Sequence, residues 1–230
     1  MKTIGLIGGM SWESSSEYYR IINQTAKAKL GGLHSAKCVM VSVDFAPIEI
    51  LLNQGKWAEL TQLLIDAAKD LENAGADFIV LCTNTMHKVA EEIQASVQIP
   101  LIHIADATAQ RIVAARIHKI GLLGTRSTME EEFYKGRLSQ TYGLEVTVPD
   151  AQARQIVHRV IFDELVVGKI QPASKEQFIR IIEQMAQQGV EGVILGCTEI
   201  GMLIHQPDSR VPLFDTTRIH AEAAVDYALA

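Results

Sequence analysis

Thr3-Ile4-Gly5-Leu6-Ile7-Gly8, near the start of the chain, returns near its middle as Lys119-Ile120-Gly121-Leu122-Leu123-Gly124. Two more echoes follow in the same order. Gly75-Ala76-Asp77-Phe78-Ile79-Val80-Leu81-Cys82-Thr83 aligns with Gly189-Val190-Glu191-Gly192-Val193-Ile194-Leu195-Gly196-Cys197, and Ile99-Pro100-Leu101 aligns with Val211-Pro212-Leu213. The offset between copies drifts by only a few residues, so the chain reads as two copies of one unit, related by a pseudo-two-fold axis. Around these echoes, short β-branched runs alternate with longer helical patterns, the signature of βαβ units and a mostly parallel sheet. Strands are predicted near Thr3–Gly8, Cys38–Val43, Phe78–Cys82, Leu101–Ile102, Ile120–Gly124, Leu144–Val148, Gly192–Leu195 and Leu213–Phe214. Apolar residues recur at spacings of three and four through Trp57–Ala74 and Lys175–Gly189, which predicts amphipathic crossover helices. The expected fold is α/β, with two pseudo-symmetric doubly wound lobes and the active site in the cleft between them.

Composition narrows the function. With 230 residues, 48% of them hydrophobic, the chain can fill one or two sizeable cores. A net charge of −6 and the lack of any Lys/Arg run argue against nucleic acid as a partner. The N-terminal stretch turns polar by Ser11, and no apolar run is long enough to span a bilayer, so no membrane association and a cytoplasmic location are expected. Cys38, Cys82 and Cys197 are too few and too scattered for a disulfide framework, and no Cys or His spacing suggests a metal site.

In open parallel sheets, ligands bind beyond the carboxyl ends of the strands. If those edges of the two lobes face each other, Thr83 and Cys197 lie on opposite sides of one cleft. That arrangement suits proton transfer at a carbon from both faces. Inversion of a stereocentre needs a base on one face and an acid on the other.

The loops themselves resemble a known family. Gly8-Gly9-Met10-Ser11-Trp12-Glu13, Thr83-Asn84-Thr85-Met86-His87 and Leu195-Gly196-Cys197-Thr198-Glu199-Ile200 are similar to the three signature motifs of the aspartate/glutamate racemases. The resemblance implies two pseudo-symmetric lobes, no pyridoxal phosphate or other cofactor, a cysteine pair as base and acid, a homodimer, and a last helix, Thr217–Leu229, that returns to the first lobe. On that basis the lobes are 1–106 plus 214–230, and 107–213. One position departs from the pattern: Thr83 stands where the family has its first cysteine. A threonine hydroxyl is a poor base and a tolerable donor, so Cys197 is assigned as proton acceptor and Thr83 as proton donor. In related racemases the second cysteine works on the L face, which implies faster deprotonation of L than of D substrates. Cys82 neighbours Thr83, but successive strand side chains alternate in direction, so it is expected to face the core. Cys197 is expected at the start of a helix, where the dipole would lower its pKa.

Substrate contacts are expected from Gly9 and Met10 in a tight turn with Gly8, from Asn84, Thr85 and Thr198 beside the catalytic positions, and from Thr125, with Ser127 a weaker candidate. Asn84, Thr85 and Thr198 could equally cap helices, and both roles can hold together. His87 and His103 are read as packed or surface residues rather than acid–base groups. Aspartate-specific relatives carry an arginine after the second strand, whereas this chain reads Asp44-Phe45-Ala46-Pro47-Ile48-Glu49-Ile50. Gln54 is the remaining candidate for the substrate side chain. The expected ligand is a small amino acid: aspartate or glutamate first, with neutral polar substrates such as homoserine, or a broad range, as alternatives. Competing activities are hydantoin racemisation, maleate isomerisation or arylmalonate decarboxylation, and a catalytically impaired amino-acid binder. A cysteine hydrolase fits least, because no histidine has a sequence reason to sit beside Cys197.

Overall fold

The apolar runs form eight strands in two four-stranded, all-parallel sheets, in a computed structural model that describes residues 1–230. The first sheet is built from β1 (Ile4–Gly8), β2 (Cys38–Ser42), β3 (Phe78–Leu81) and β4 (Leu101–Ile102), in the order β2-β1-β3-β4. Helices α1 (Trp12–Leu30), α2 (Phe45–Asn53), α3 (Trp57–Asn73) and α4 (Ala90–Ser96) connect these strands. A 3-10 turn, Thr85–Val89, precedes α4. The second sheet repeats the plan with β5 (Lys119–Gly124), β6 (Glu145–Thr147), β7 (Gly192–Gly196) and β8 (Leu213–Asp215), in the order β6-β5-β7-β8. Its helices are α5 (Ile104–Ala114), α6 (Arg126–Glu130), α7 (Glu132–Tyr142), α8 (Ala151–Asp163), α9 (Pro172–Gln187) and the single turn α10 (Ile200–Leu203). The closing helix is α11 (Thr216–Leu229).

The repeat holds down to register. Ile4 pairs with Phe78 and Ile7 with Leu81 in the first sheet, as Ile120 pairs with Gly192 and Leu123 with Leu195 in the second. Strand alternation sorts the first core by face: Ile7, Ile79 and Leu81 pack with α3 and α4, whereas Ile4, Leu6, Phe78, Val80 and Cys82 pack with α1 and α11. That sorting is what a doubly wound sheet requires, since helices must cover both faces. In α3 the buried residues are Leu60, Leu64, Ala67, Ala68 and Leu71, and in α9 Ser174, Phe178, Ile181, Ile182 and Met185, the same face of each crossover helix. Each large apolar side chain so buried contributes about 1.5–3 kcal/mol. No helix is long and apolar enough to cross a membrane.

The chain divides into two compact units, Met1–His103 with His220–Ala230, and Ile104–Ile219. The return to the first unit falls inside α11 for a local reason. Val193 and Leu195 of β7 pair with Leu213 and Asp215, Thr216 Oγ1 donates to Leu195 O (2.8 Å), and Thr217 Oγ1 donates to Thr198 O (3.2 Å), so the first turn of α11 stays with the second sheet. From Ala221 onward α11 packs with the first unit, where Ala221, Ala224, Val225 and Ala228 join the core and Ala228 O accepts from Lys2 N (2.9 Å).

Candidate active site

In the first unit, the carboxyl ends of β1 and β3 lie side by side, and Cys82 N donates to Ile7 O (2.9 Å). Cys82 is fully buried among Ile4, Leu6 and Val80, and burial pushes its thiol pKa up. Thr83 follows it. The Thr83 carbonyl accepts from His87 Nδ1 at 2.7 Å, which fixes the Nδ1–H tautomer of that ring, because a carbonyl can only accept. His87 in turn packs edge-on against His103 and His220. His87 is therefore a buried strut that holds the Thr83 backbone from four residues away. Asn84 and Thr85 are buried, and the Asn84 side chain makes no capping hydrogen bond to the 3-10 turn.

The turn after β1 is tight. Gly9 has φ +94°, and a Cβ there would lie 2.1 Å from Val43 O, so only glycine fits. Its N–H donates to Ser15 Oγ (2.8 Å), and Ser15 Oγ donates to Ser11 O (2.8 Å). The Gly9 amide is therefore spent on the turn itself rather than available to a ligand. Met10 is buried in the core with Ile48, so its side chain serves packing. Gln54 is exposed at the C-cap of α2, and Asp44 caps the other end of that helix by accepting from Ala46 N (3.2 Å).

In the second unit, Gly124 and Gly196 are paired at the ends of β5 and β7, and a Cβ on Gly124 would meet Gly196 O at 2.8 Å. This close approach brings the two following loops together. Thr125 caps α6, its Oγ1 accepting from Thr128 N (3.3 Å). Cys197 is the first residue past β7 and is 8% exposed. Its Sγ donates to Glu199 Oε2 at 3.0 Å, and Thr198 Oγ1 donates to the same oxygen at 2.8 Å. Glu199, 2% exposed, is the residue that sequence reasoning missed.

Cys197 does not have the depressed pKa expected of a helix start. The helix that follows is the four-residue α10, which begins three residues later and carries little dipole. Burial pushes the thiol well up, and the Glu199 carboxylate, by charge and by hydrogen bond, pushes it further. No group of three or more His, Cys, Asp or Glu side chains is arranged to hold a metal ion.

The sequence profile of the Asp/Glu/hydantoin racemases matches residues 7–224. The chain belongs to that family. Membership makes it an isomerase of the racemase class. A broad specificity amino-acid racemase, RacX of Bacillus subtilis (strain 168), is 24% identical over 232 residues, spanning 99% of this chain and 98% of its own. Among solved structures, a protein of Yersinia pestis assigned as an Asp/Glu racemase superposes with TM-score 0.93 at 56% identity, covering both chains completely. An aspartate racemase homologue of Pyrococcus horikoshii OT3 superposes with TM-score 0.86 at 37% identity, also over the whole of both chains. A glutamate racemase of Francisella tularensis, solved with D-glutamate, shares the fold of this racemase-family chain at TM-score 0.67 and 13% identity, over 99% of this chain and 81% of its own.

Proposed function

We propose that this chain racemises amino acids without a cofactor, with Cys197 removing the α-proton of an L-amino acid and Thr83 supplying a proton to the opposite face. The observation that carries this reading is the equivalence of the two residues. Each stands just past the strand that pairs with the first strand of its own sheet, at matching positions of the repeat. Asn84, Thr85 and Thr198, all buried at these strand ends, are assigned to the substrate's α-carboxylate. A zwitterionic substrate brings its ammonium group close to the reacting carbon, and a nearby positive charge favours the thiolate that burial and Glu199 suppress. Substrate binding would then activate the base.

Thr83 donates its hydroxyl proton and regains one from water, which makes the enzyme asymmetric, with a higher kcat from L than from D substrates. Aspartate and glutamate are the first substrates to test, with neutral polar amino acids next, because Asp44–Gln54 holds no cation to clamp a distal carboxylate. A cytoplasmic homodimer is the expected working form.

A chiral assay over the common amino acids tests this reading. Wild type should interconvert enantiomers of at least one of them. Cys197→Ser should lower kcat by ~10²–10⁴-fold, the usual worth of a positioned acid–base group. Thr83→Cys should raise kcat from the D enantiomer. Unchanged turnover in Cys197→Ser would overturn the assignment.

A further inference from the structure

The Cys197 loop holds more than its thiol needs for packing. A buried carboxylate, Glu199, receives both the Cys197 thiol and the Thr198 hydroxyl on one oxygen, at 3.0 and 2.8 Å. Burying a carboxylate beside an apolar cluster costs stability unless donors compensate it, and here the thiol and the hydroxyl converge on it. The loop is also tied down: Thr217 Oγ1 donates to Thr198 O, and Thr216 Oγ1 to Leu195 O. The other carboxylate of this edge, Asp215 on β8, accepts from Thr217 N (3.0 Å) and Arg218 N (3.2 Å) through Oδ1, so it anchors the start of α11.

We propose that Glu199 takes the Cys197 thiol proton through the Sγ···Oε2 hydrogen bond, and that Cys197 and Glu199 act as one base toward L substrates. The inference rests on the racemase reading above. The S–H bond breaks, the proton passes to Glu199 Oε2, and the electron pair stays on sulfur. The thiolate then bonds the substrate's α-proton, leaving the C–H electron pair on the α-carbon. On the other face Thr83 gives its hydroxyl proton to that carbon and is reprotonated from water. Glu199 returns its proton to water, so one proton enters and one leaves, and Cys197 ends as a thiol. Glu199 acts through Cys197 and never on the substrate. Thr198, donating to the same oxygen, holds the carboxylate in line.

Opposite results are expected if Glu199 only suppresses the thiolate. Removing its charge would then free the thiol and speed the reaction. The test is the rate of racemisation of L-aspartate and L-glutamate, and of any other L-amino acid that wild type inverts, in Glu199→Gln and Glu199→Asp. A proton acceptor predicts kcat ~100-fold lower in Glu199→Gln, with KM changed by less than about threefold. It also predicts that Glu199→Asp, which keeps a carboxylate but not the reach, stays the more active of the two. A purely packing role ranks them the other way, because glutamine keeps the shape and aspartate does not. Glu199→Ala gives an independent reading: added formate should restore its turnover in a dose-dependent way. Activity in Glu199→Gln at or above wild type, or above that of Glu199→Asp, overturns the proposal while leaving the racemase reading intact. Failure of wild type to invert any amino acid overturns both.

Discussion

At Gly9 the backbone has no room for a side chain. The residue turns with φ +94° directly against Val43, and its amide is fixed by Ser15. Gly9→Ala should therefore destabilise the fold by ~3 kcal/mol or more, from a left-handed conformation plus a clash with backbone that cannot swing aside. Urea unfolding would show it, and a loss below about 1 kcal/mol would mean that the turn rearranges freely. The glycine was legible in the sequence; its reason was not, because Val43 lies far along the chain. The same limit applied to Glu199. Its place two residues after Cys197 was in plain view, but carboxylates usually sit at the surface, and no sequence pattern told that this one is buried with two donors on a single oxygen. Cys197 and Thr83 could be singled out because each follows a strand in a repeated position. The thiol's raised pKa could not, because it depends on burial and on how short α10 turned out to be.

His220 ties three elements of the first unit together. Its Nε2 donates to Ile102 O in β4 (2.8 Å), so Nδ1 is the bare acceptor of the Tyr18 hydroxyl from α1 (2.9 Å), and the ring itself belongs to α11. Complete burial holds its pKa down, from the ordinary 6.5 to about 4. An unfolded chain protonates this histidine below pH 6.5 while the folded one does not, so the unfolded state binds the extra proton and stability falls as pH drops from 6.5 towards 4. The loss is on the order of 3 kcal/mol across that window. Melting temperature should fall between pH 7 and pH 5 in wild type and fall less in His220→Gln, which keeps a donor for Ile102 but does not titrate. An equal drop in both would assign the acid sensitivity elsewhere. Among the elements, all eight strands were readable from short β-branched runs, and α3 and α9 from their apolar spacing. The other connecting helices, α2 among them, were not singled out. Pro47 is the third residue of α2, in the first turn, where an N–H has no partner inside the helix and its loss costs little.

Across the whole molecule, one sheet plan is used twice, with orders β2-β1-β3-β4 and β6-β5-β7-β8. That duplication was open to reading because packing at the end of the first strand demands the same small residue in each copy, as at Gly8 and Gly124, where a Cβ would meet Ser15 Oγ at 2.7 Å and Gly196 O at 2.8 Å. The return of the chain to the first unit was less so. A helix that serves one unit with its first turn and the other with its remainder, as α11 does, leaves no mark in composition. The duplication also gives the proposed chemistry its form, with a strong base in one copy and only a hydroxyl in the other.

Deuterium incorporation at the α-carbon in heavy water, started separately from saturating L- and D-amino acid, tests that chemistry most directly. The mechanism predicts incorporation from both enantiomers, a higher initial rate from L, and loss of the L-started reaction in Cys197→Ser. No incorporation from any amino acid, or incorporation that Cys197→Ser leaves untouched, would contradict it.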